Sequence, residues 1–288
     1  MPDDANTRPQ RRTWEGASER LDRVIVELQL ARSRNRAAEL ISEGRVTVDG
    51  NTAGKAGQKT TTGAVVAVAG FDRYVGRAAG KLIAGLDRFA IDPTGRLALD
   101  LGASTGGFTQ VLLERGARAV QAIDVGHGQM DDVLARDPRV RLVEGCNARN
   151  LDPELLASST GIAEPPSLVT ADLSFISLTL VLPAIERCAA ADAELLLLIK
   201  PQFEVGRVRD GVVTDPAQRA EAIRGVLAAA ATHGFACRGI EQSPVIGGTG
   251  NVEYLCVLVR GPAPDPSEWD ERILALAKAE ASEGRRAG

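Results

Sequence analysis

Apolar residues first recur at helical spacing after Glu19. Leu21, Val24, Ile25 and Leu28 share one face, which predicts an amphipathic helix. Ser33 is placed to cap a second helix that buries Ala37, Leu40 and Ile41, and Gly44 to end it. The period then changes to two. Val46 and Val48 alternate with polar residues, Asp49-Gly50 signals a two-residue hairpin, and Val65–Val68 supplies a further strand. Two helices and a short sheet in about 55 residues predict a small α+β module, near the lower size limit for a stable core.

After a short glycine-bounded link at 70–76 the pattern changes again. Apolar runs at 97–101, 119–124, 140–143, 168–172, 195–200, 236–240 and 254–259 predict strands. Helical patterns fall between most of them, including 108–115, 178–190 and 217–233. Apolar strands alternating with helices predict an α/β domain, its largely parallel sheet covered on both faces. Ser267 and Asp270 form a capping-box pattern for a last helix. Residues 1–16 are polar and rich in Arg, Asp and Pro, and read as a disordered tail. The expected organisation is a tail at 1–16, a small domain at 17–69, a linker at 70–76, a large domain at 77–263, and a helix and tail at 264–288.

Composition narrows the function. The chain has 288 residues, 44% hydrophobic and 25% charged, which is ordinary for a folded protein. Its formal charge of -4 excludes a basic nucleic-acid coat, but the charge is uneven. Residues 1–81 carry 14 basic and 10 acidic side chains, whereas 82–288 carry 20 and 28. A basic front and an acidic back imply different tasks. No apolar run approaches the roughly 20 residues of a membrane helix, and the first residues lack a secretory apolar core. Cys146, Cys188, Cys237 and Cys256 are scattered without a CxxC pair, which fits reduced thiols in the cytoplasm. With only His127 and His233 besides, no metal site is expected.

The strongest chemical signal is LALDLGASTGGFTQVLLERG at 97–116. A strand ends near Asp100, and a turn of small residues opens a helix. Gly102, Gly106 and Gly107 allow tight turning and close approach of a ligand to Ala103, Ser104, Thr105 and Phe108. The next strand ends at Asp124, where a carboxylate can accept two ribose hydroxyls. A dinucleotide fingerprint requires glycine where Ser104 stands, so an S-adenosylmethionine site fits better than NAD. Asn147, after the third strand, is a further candidate on the adenine. Asp172 and Lys200 close the fourth and fifth strands, so both should face one crevice at the strand carboxyl ends. A lysine closing an apolar run is costly to bury without a partner or a task.

Resemblance to known families adds function. Arg20-Leu-Asp, Ser33-Arg34, Ile41, Gly44, Val46, Val48 and Asp49-Gly50 resemble, in that order, the S-four-type RNA-binding domain. That resemblance implies binding of structured RNA, with Arg20, Arg32, Arg34 and Arg45 on phosphates. Lys81, Asp172, Lys200 and Glu253 resemble the Lys-Asp-Lys-Glu tetrad of RrmJ/FtsJ-type RNA 2′-O-methyltransferases. From about 19 to 260 the chain resembles the TlyA family, including Arg73-Tyr-Val-Gly76 between the domains. One departure is the segment Gly-Arg-Ala-Ala-Gly-Lys ending at Lys81, where Ser-Arg-x-x-x-Lys is more usual.

The resemblance implies a Rossmann-like methyltransferase sheet behind the small α+β domain. It implies S-adenosylmethionine-dependent methylation of cytidine 2′-hydroxyls in 16S or 23S ribosomal RNA, or both, by a cytoplasmic monomer without metal. Lys200 would orient or deprotonate the hydroxyl. Lys81 would favour its neutral amine, while Asp172 and Glu253 would orient the lysines and oppose that effect. Arg77 would contact RNA, and Phe175 would stack on a flipped base or simply fill the core. The alternatives are a non-catalytic ribosome-assembly factor, a membrane-active haemolysin and an NAD-linked oxidoreductase.

Overall fold

The structure is a computed structural model that describes residues 9–31, 33–69, 74–206, 208–262 and 266–279. These form two compact units, one running to Val75 and the other from Gly76.

The front unit contains β1 (Gln10–Thr13), β2 (Glu19–Arg20), α1 (Leu21–Glu27), α2 (Arg34–Ser42), β3 (Val46–Val48), β4 (Asn51–Thr52), β5 (Lys59–Thr60) and β6 (Val65–Val68). Local chemistry sets its corners. The Ser33 side chain accepts from the Arg36 amide at the start of α2, and Gly44, at φ +69°, follows its end. Asp49 and Gly50 both have positive φ and join β3 to β4, as a two-residue hairpin with right-handed strand twist requires. The antiparallel sheet runs β1-β6-β3-β4, and β2 pairs with β5. Leu21, Val24, Ile25, Leu40, Val46 and Val66 build its core.

The expected disordered tail is corrected over its described part. Gln10–Thr13 pair with Val65–Val68, and Trp14 is buried with its indole N–H donating to the Ala17 carbonyl at 2.8 Å. The four β1 side chains are exposed, so backbone pairing holds a segment whose polarity reads as tail. Arg32 and residues 70–73 of the expected linker lie outside the described residues.

The second unit contains α3 (Ala79–Phe89), β7 (Leu97–Leu101), α4 (Gly107–Glu114), β8 (Ala119–Ile123), α5 (Asp132–Ala135), β9 (Val140–Val143), α6 (Pro153–Thr160), β10 (Leu168–Ala171), α7 (Leu182–Cys188), β11 (Glu194–Ile199), α8 (Pro201–Glu204), α9 (Pro216–Thr232), β12 (Phe235–Gln242), β13 (Tyr254–Arg260) and α10 (Asp270–Lys278). Its seven strands lie in the order β12-β13-β11-β10-β7-β8-β9. All seven predicted strands are present, and β13 alone runs antiparallel to its neighbours β11 and β12. β7 and β10 are buried along their whole length, as strands covered on both faces must be.

Two helical expectations change. The predicted helix at 178–190 opens as a 3-10 turn at Leu178–Leu180, and α7 starts only at Leu182, with Pro183 in its first turn. Proline has no N–H to give to a preceding turn, so α7 begins there. The capping box at Ser267 and Asp270 does not start a helix. A 3-10 turn spans Pro266–Trp269, and α10 begins at Asp270 without a side-chain cap. Ile273, Leu276 and Ala277 of α10 join the core of the second unit, and α10 packs against α9.

Candidate active site

The carboxyl ends of β7, β8, β10 and β11 converge, because parallel strands all release their chains at one edge of the sheet. After β7 the chain turns at Gly102, φ +81°, where a Cβ would lie 2.9 Å from the Asp172 carbonyl oxygen. Only glycine combines that backbone with that approach. Ser104 and Gly106 also have positive φ, at +48° and +95°, and α4 starts at Gly107.

Asp124 leaves β8 facing this turn. Its two carboxylate oxygens accept from the Ser104 and Gly126 amides, each at 2.7 Å. The Asn147 side chain accepts from the Arg149 amide after β9. A cavity of about 980 Å³ lies here, lined by Gly102, Ser104, Asp124, Asn147, Asp172 and Phe175 among others. Its size matches small-molecule sites in general. A second cavity of about 260 Å³ adjoins it and shares Gly102, Ser104, Asp172 and Ser174. It is lined also by Arg77, Lys81, Ala103, Thr105, Gly107, Phe108 and Lys200.

Four charged side chains from distant parts of the sequence meet at the smaller cavity, three lining it and Glu253 behind them. Lys81 Nζ lies 2.7 Å from Glu253 Oε2 and 3.3 Å from Asp172 Oδ2. Lys200 Nζ lies 2.6 Å from Asp172 Oδ1 and donates to Ser174 Oγ at 2.9 Å. The order is therefore Glu253, Lys81, Asp172, Lys200, Ser174, with Asp172 bridging both lysines. Lys81, Lys200 and Glu253 are buried. Two ammonium groups and two carboxylates balance, which is what permits burying four charges together.

Three residues assigned to the catalytic and cofactor sites do not line either cavity. Asp100 is wholly buried within β7, and its carboxylate accepts from Thr109 Oγ1 at 2.7 Å and Thr170 Oγ1 at 3.1 Å. It braces the glycine turn from behind rather than lining the site. Gly106 shapes the same turn, and Glu253 sits behind Lys81. Phe175 is 92% exposed, which corrects the core alternative. Its φ is +63°, and its ring centroid lies 5.3 Å from that of Phe203. Sequence reasoning missed Gln129, Ser174 and Phe203, which line the larger cavity. Ser174 stands two residues after Asp172, a spacing that could have signalled it. Nothing local marks Gln129 or Phe203.

In the front unit Asp22 lies between two of the assigned arginines. Arg20 donates to both its oxygens at 3.0 and 3.1 Å, and Arg34 to Oδ2 at 2.8 and 3.2 Å. Hydrogen bonds from Arg20, then Arg34, hold the Asp22 carboxyl down at about 2 against the opposing effect of burial. Both arginine side chains remain about half exposed. Each guanidinium has five N–H donors, so both keep donors facing solvent. Arg45 is more tied: it donates to the Ala69 carbonyl and to Glu43. Among the described residues no cluster of His, Cys, Asp or Glu is placed to hold a metal ion. No helix among them is long and apolar enough to cross a membrane.

Comparison with known proteins agrees with this geometry. Residues 74–260 match the FtsJ-like methyltransferase family, and residues 19–66 match the S4 domain. The 16S/23S rRNA (cytidine-2′-O)-methyltransferase TlyA of Mycobacterium tuberculosis is 48% identical over 240 residues, 82% of this chain and 87% of that protein. Hemolysin A of Brachyspira hyodysenteriae is 34% identical over 239 residues, 82% of this chain and 98% of that protein. A solved structure from Streptococcus thermophilus, described as a hemolysin, superimposes with a TM-score of 0.70 at 34% identity. It covers 91% of this chain and 96% of its own. With a glycine-turn cavity beside a Lys-Asp-Lys-Glu cluster, and an S4 domain in front, the chain belongs to the TlyA family of ribosomal RNA methyltransferases.

Proposed function

We infer that this chain transfers a methyl group from S-adenosylmethionine to the 2′-oxygen of cytidine in 16S or 23S ribosomal RNA. The observation that carries the reading is the meeting of Lys81, Asp172, Lys200 and Glu253 at a cavity adjoining the glycine turn.

The cofactor supplies an activated methyl group when bound. Asp124 and Asn147 would hold its nucleoside, and the backbone around Gly102–Phe108 would hold its remaining part. The chain's own task is to align the ribose oxygen and assist loss of its proton. Alignment alone is worth roughly 7–11 kcal/mol. Ser174 takes one N–H of Lys200 in a hydrogen bond and Asp172 pairs with its charge, which leaves donor positions on the nitrogen for the cavity. That nitrogen would orient the 2′-hydroxyl and take its proton in the neutral form. Lys81 and Glu253 hold Asp172 in place, so the tetrad acts as one unit. A free lysine, with pKa about 10.4, is a poor base at neutral pH, so orientation is the larger share of its role.

Phe175 would stack on a base turned out of its helix, and Arg77 would meet a phosphate beside the smaller cavity. Arg20, Arg32, Arg34 and Arg45 would meet phosphates through the front unit. The family resemblance favours a monomer as the acting form. Ribosomal RNA as substrate implies the cytoplasm.

The test is transfer of labelled methyl from S-adenosylmethionine to unmodified 30S and 50S subunits, assayed separately, with mapping of the product. A 2′-O-methylcytidine in either subunit is the expected result. Cofactor binding without methylation of either subunit would overturn the assigned substrate.

A further inference from the structure

We propose that Ser174 is a positioning residue that sets the direction in which Lys200 presents its nitrogen to the ribose hydroxyl. The proposal rests on Lys200 as the group that meets the substrate. Lys200 closes β11 at 7% exposure, and its Nζ has two neighbours in the structure. Asp172 Oδ1 lies at 2.6 Å and Ser174 Oγ at 2.9 Å. Nζ also carries Cε, so one directed N–H bond fixes rotation about Cε–Nζ and with it the remaining N–H directions. The Asp172 contact is a close ion pair, Oδ1 accepting no hydrogen bond among the described residues, so it holds the charge without aiming it. Ser174 Oγ supplies the directed bond.

The loop that carries Ser174 is itself held. Glu204, at the end of α8, accepts from Ser177 Oγ at 2.5 Å and from the Leu178 amide at 2.9 Å. Phe203, beside it on α8, meets the Phe175 ring. Lys200 immediately precedes α8, so one short segment fixes both the lysine and the loop that orients it. Ser174 also lines both cavities, which places it where cofactor and substrate adjoin.

The charged groups around Lys200 are Asp172 at the end of β10, Lys81 on α3 and Glu253 before β13, with Asp100 of β7 beyond Asp172. The Ser174 hydroxyl accepts from Lys200 Nζ, and its removal should spoil the aim of that nitrogen.

Ser174→Ala and Ser174→Thr are compared with wild type in single-turnover methylation of subunits, with Lys200→Ala as reference. In Ser174→Ala the rate at saturating subunits should fall about tenfold or more, the loss expected for one hydrogen bond to a charged group. S-adenosylmethionine affinity and the half-saturating subunit concentration should stay within about twofold, which also reports that the variant is folded. Ser174→Thr keeps the hydroxyl and should recover most of the rate. A Ser174→Ala enzyme with wild-type rate would overturn the proposal while Lys200→Ala is inactive. An active Lys200→Ala would instead overturn the reading of Lys200 on which it rests.

Discussion

Asp100 and Asp124 look alike in the sequence, since each is an acidic residue near the end of a strand before a turn. Their neighbours separate them. Asp100 is still in the ladder, paired with Ala122 of β8 and Thr170 of β10, whereas Asp124 is the first residue past β8. One side chain is sealed between strands and helix α4, and the other faces the cavity. Burial pushes the Asp100 carboxyl up to about 7, against hydrogen bonds from Thr109 and Thr170, and the Asp172 charge adds to the rise. A folded-state value above the unfolded one means that the folded form binds the proton more tightly. Protonated Asp100 therefore favours the fold below about pH 4, and this contribution is lost as pH rises through about 7. In Asp100→Asn no proton is gained or lost. Denaturant unfolding at pH 5 and pH 8 should show the variant gaining stability relative to wild type at the higher pH. An unchanged difference between the two would mean that Asp100 is as easily ionised as an exposed carboxylate.

Elements were legible where periodicity and caps agree, as in α2, whose Ser33 cap and Gly44 stop both stand in the structure. They were less legible where the hydrophobic signal is missing or misleading. The predicted helix at 178–190 read as one apolar run, but Pro183 interrupts the backbone ladder that such a run presumes. β1 has the opposite history. Gln-Arg-Arg-Thr offers no buried side chain, and its strand exists because β6 presents unpaired backbone groups and Trp14 anchors the end. Trp14 is 8% exposed and belongs to the same core as Leu21 and Ile25. Trp14→Ala should cost about 3–5 kcal/mol, the usual loss for emptying a tryptophan site. A core this small cannot absorb that loss, so the front unit should unfold or lose RNA affinity, while S-adenosylmethionine binding by the second unit persists. Calorimetric titration of the cofactor beside RNA-binding assays checks both halves. Wild-type RNA affinity in the variant would mean that β1 is dispensable.

At the scale of the whole molecule the sequence divides labour by charge, and the two units carry that division differently. The tetrad was legible because its four residues keep their order and context, although Lys81 and Glu253 lie 172 positions apart in the numbering and meet only in the fold. The front arginines were legible through the S-four-type resemblance, but their pairing with Asp22 was not, because the Arg20-Leu-Asp motif does not say which cations the carboxylate meets in the fold. That pairing determines what the arginines can do. Asp22 holds Arg20 and Arg34 side by side at little entropic freedom, so less is lost when a phosphate arrives. RNA affinity should therefore depend on salt through these two residues, each phosphate contact contributing about 0.7–0.9 to the logarithmic slope. Arg20→Gln and Arg34→Gln should each weaken subunit binding and lower that slope by about this amount, while the methylation rate at saturating subunits stays near wild type. Lys200→Ala should do the reverse, keeping the slope and losing the rate. Titrations across a range of potassium chloride, paired with single-turnover rates, separate the two effects. An unchanged slope in both arginine variants would remove Arg20 and Arg34 from the RNA interface and leave recognition to other cations.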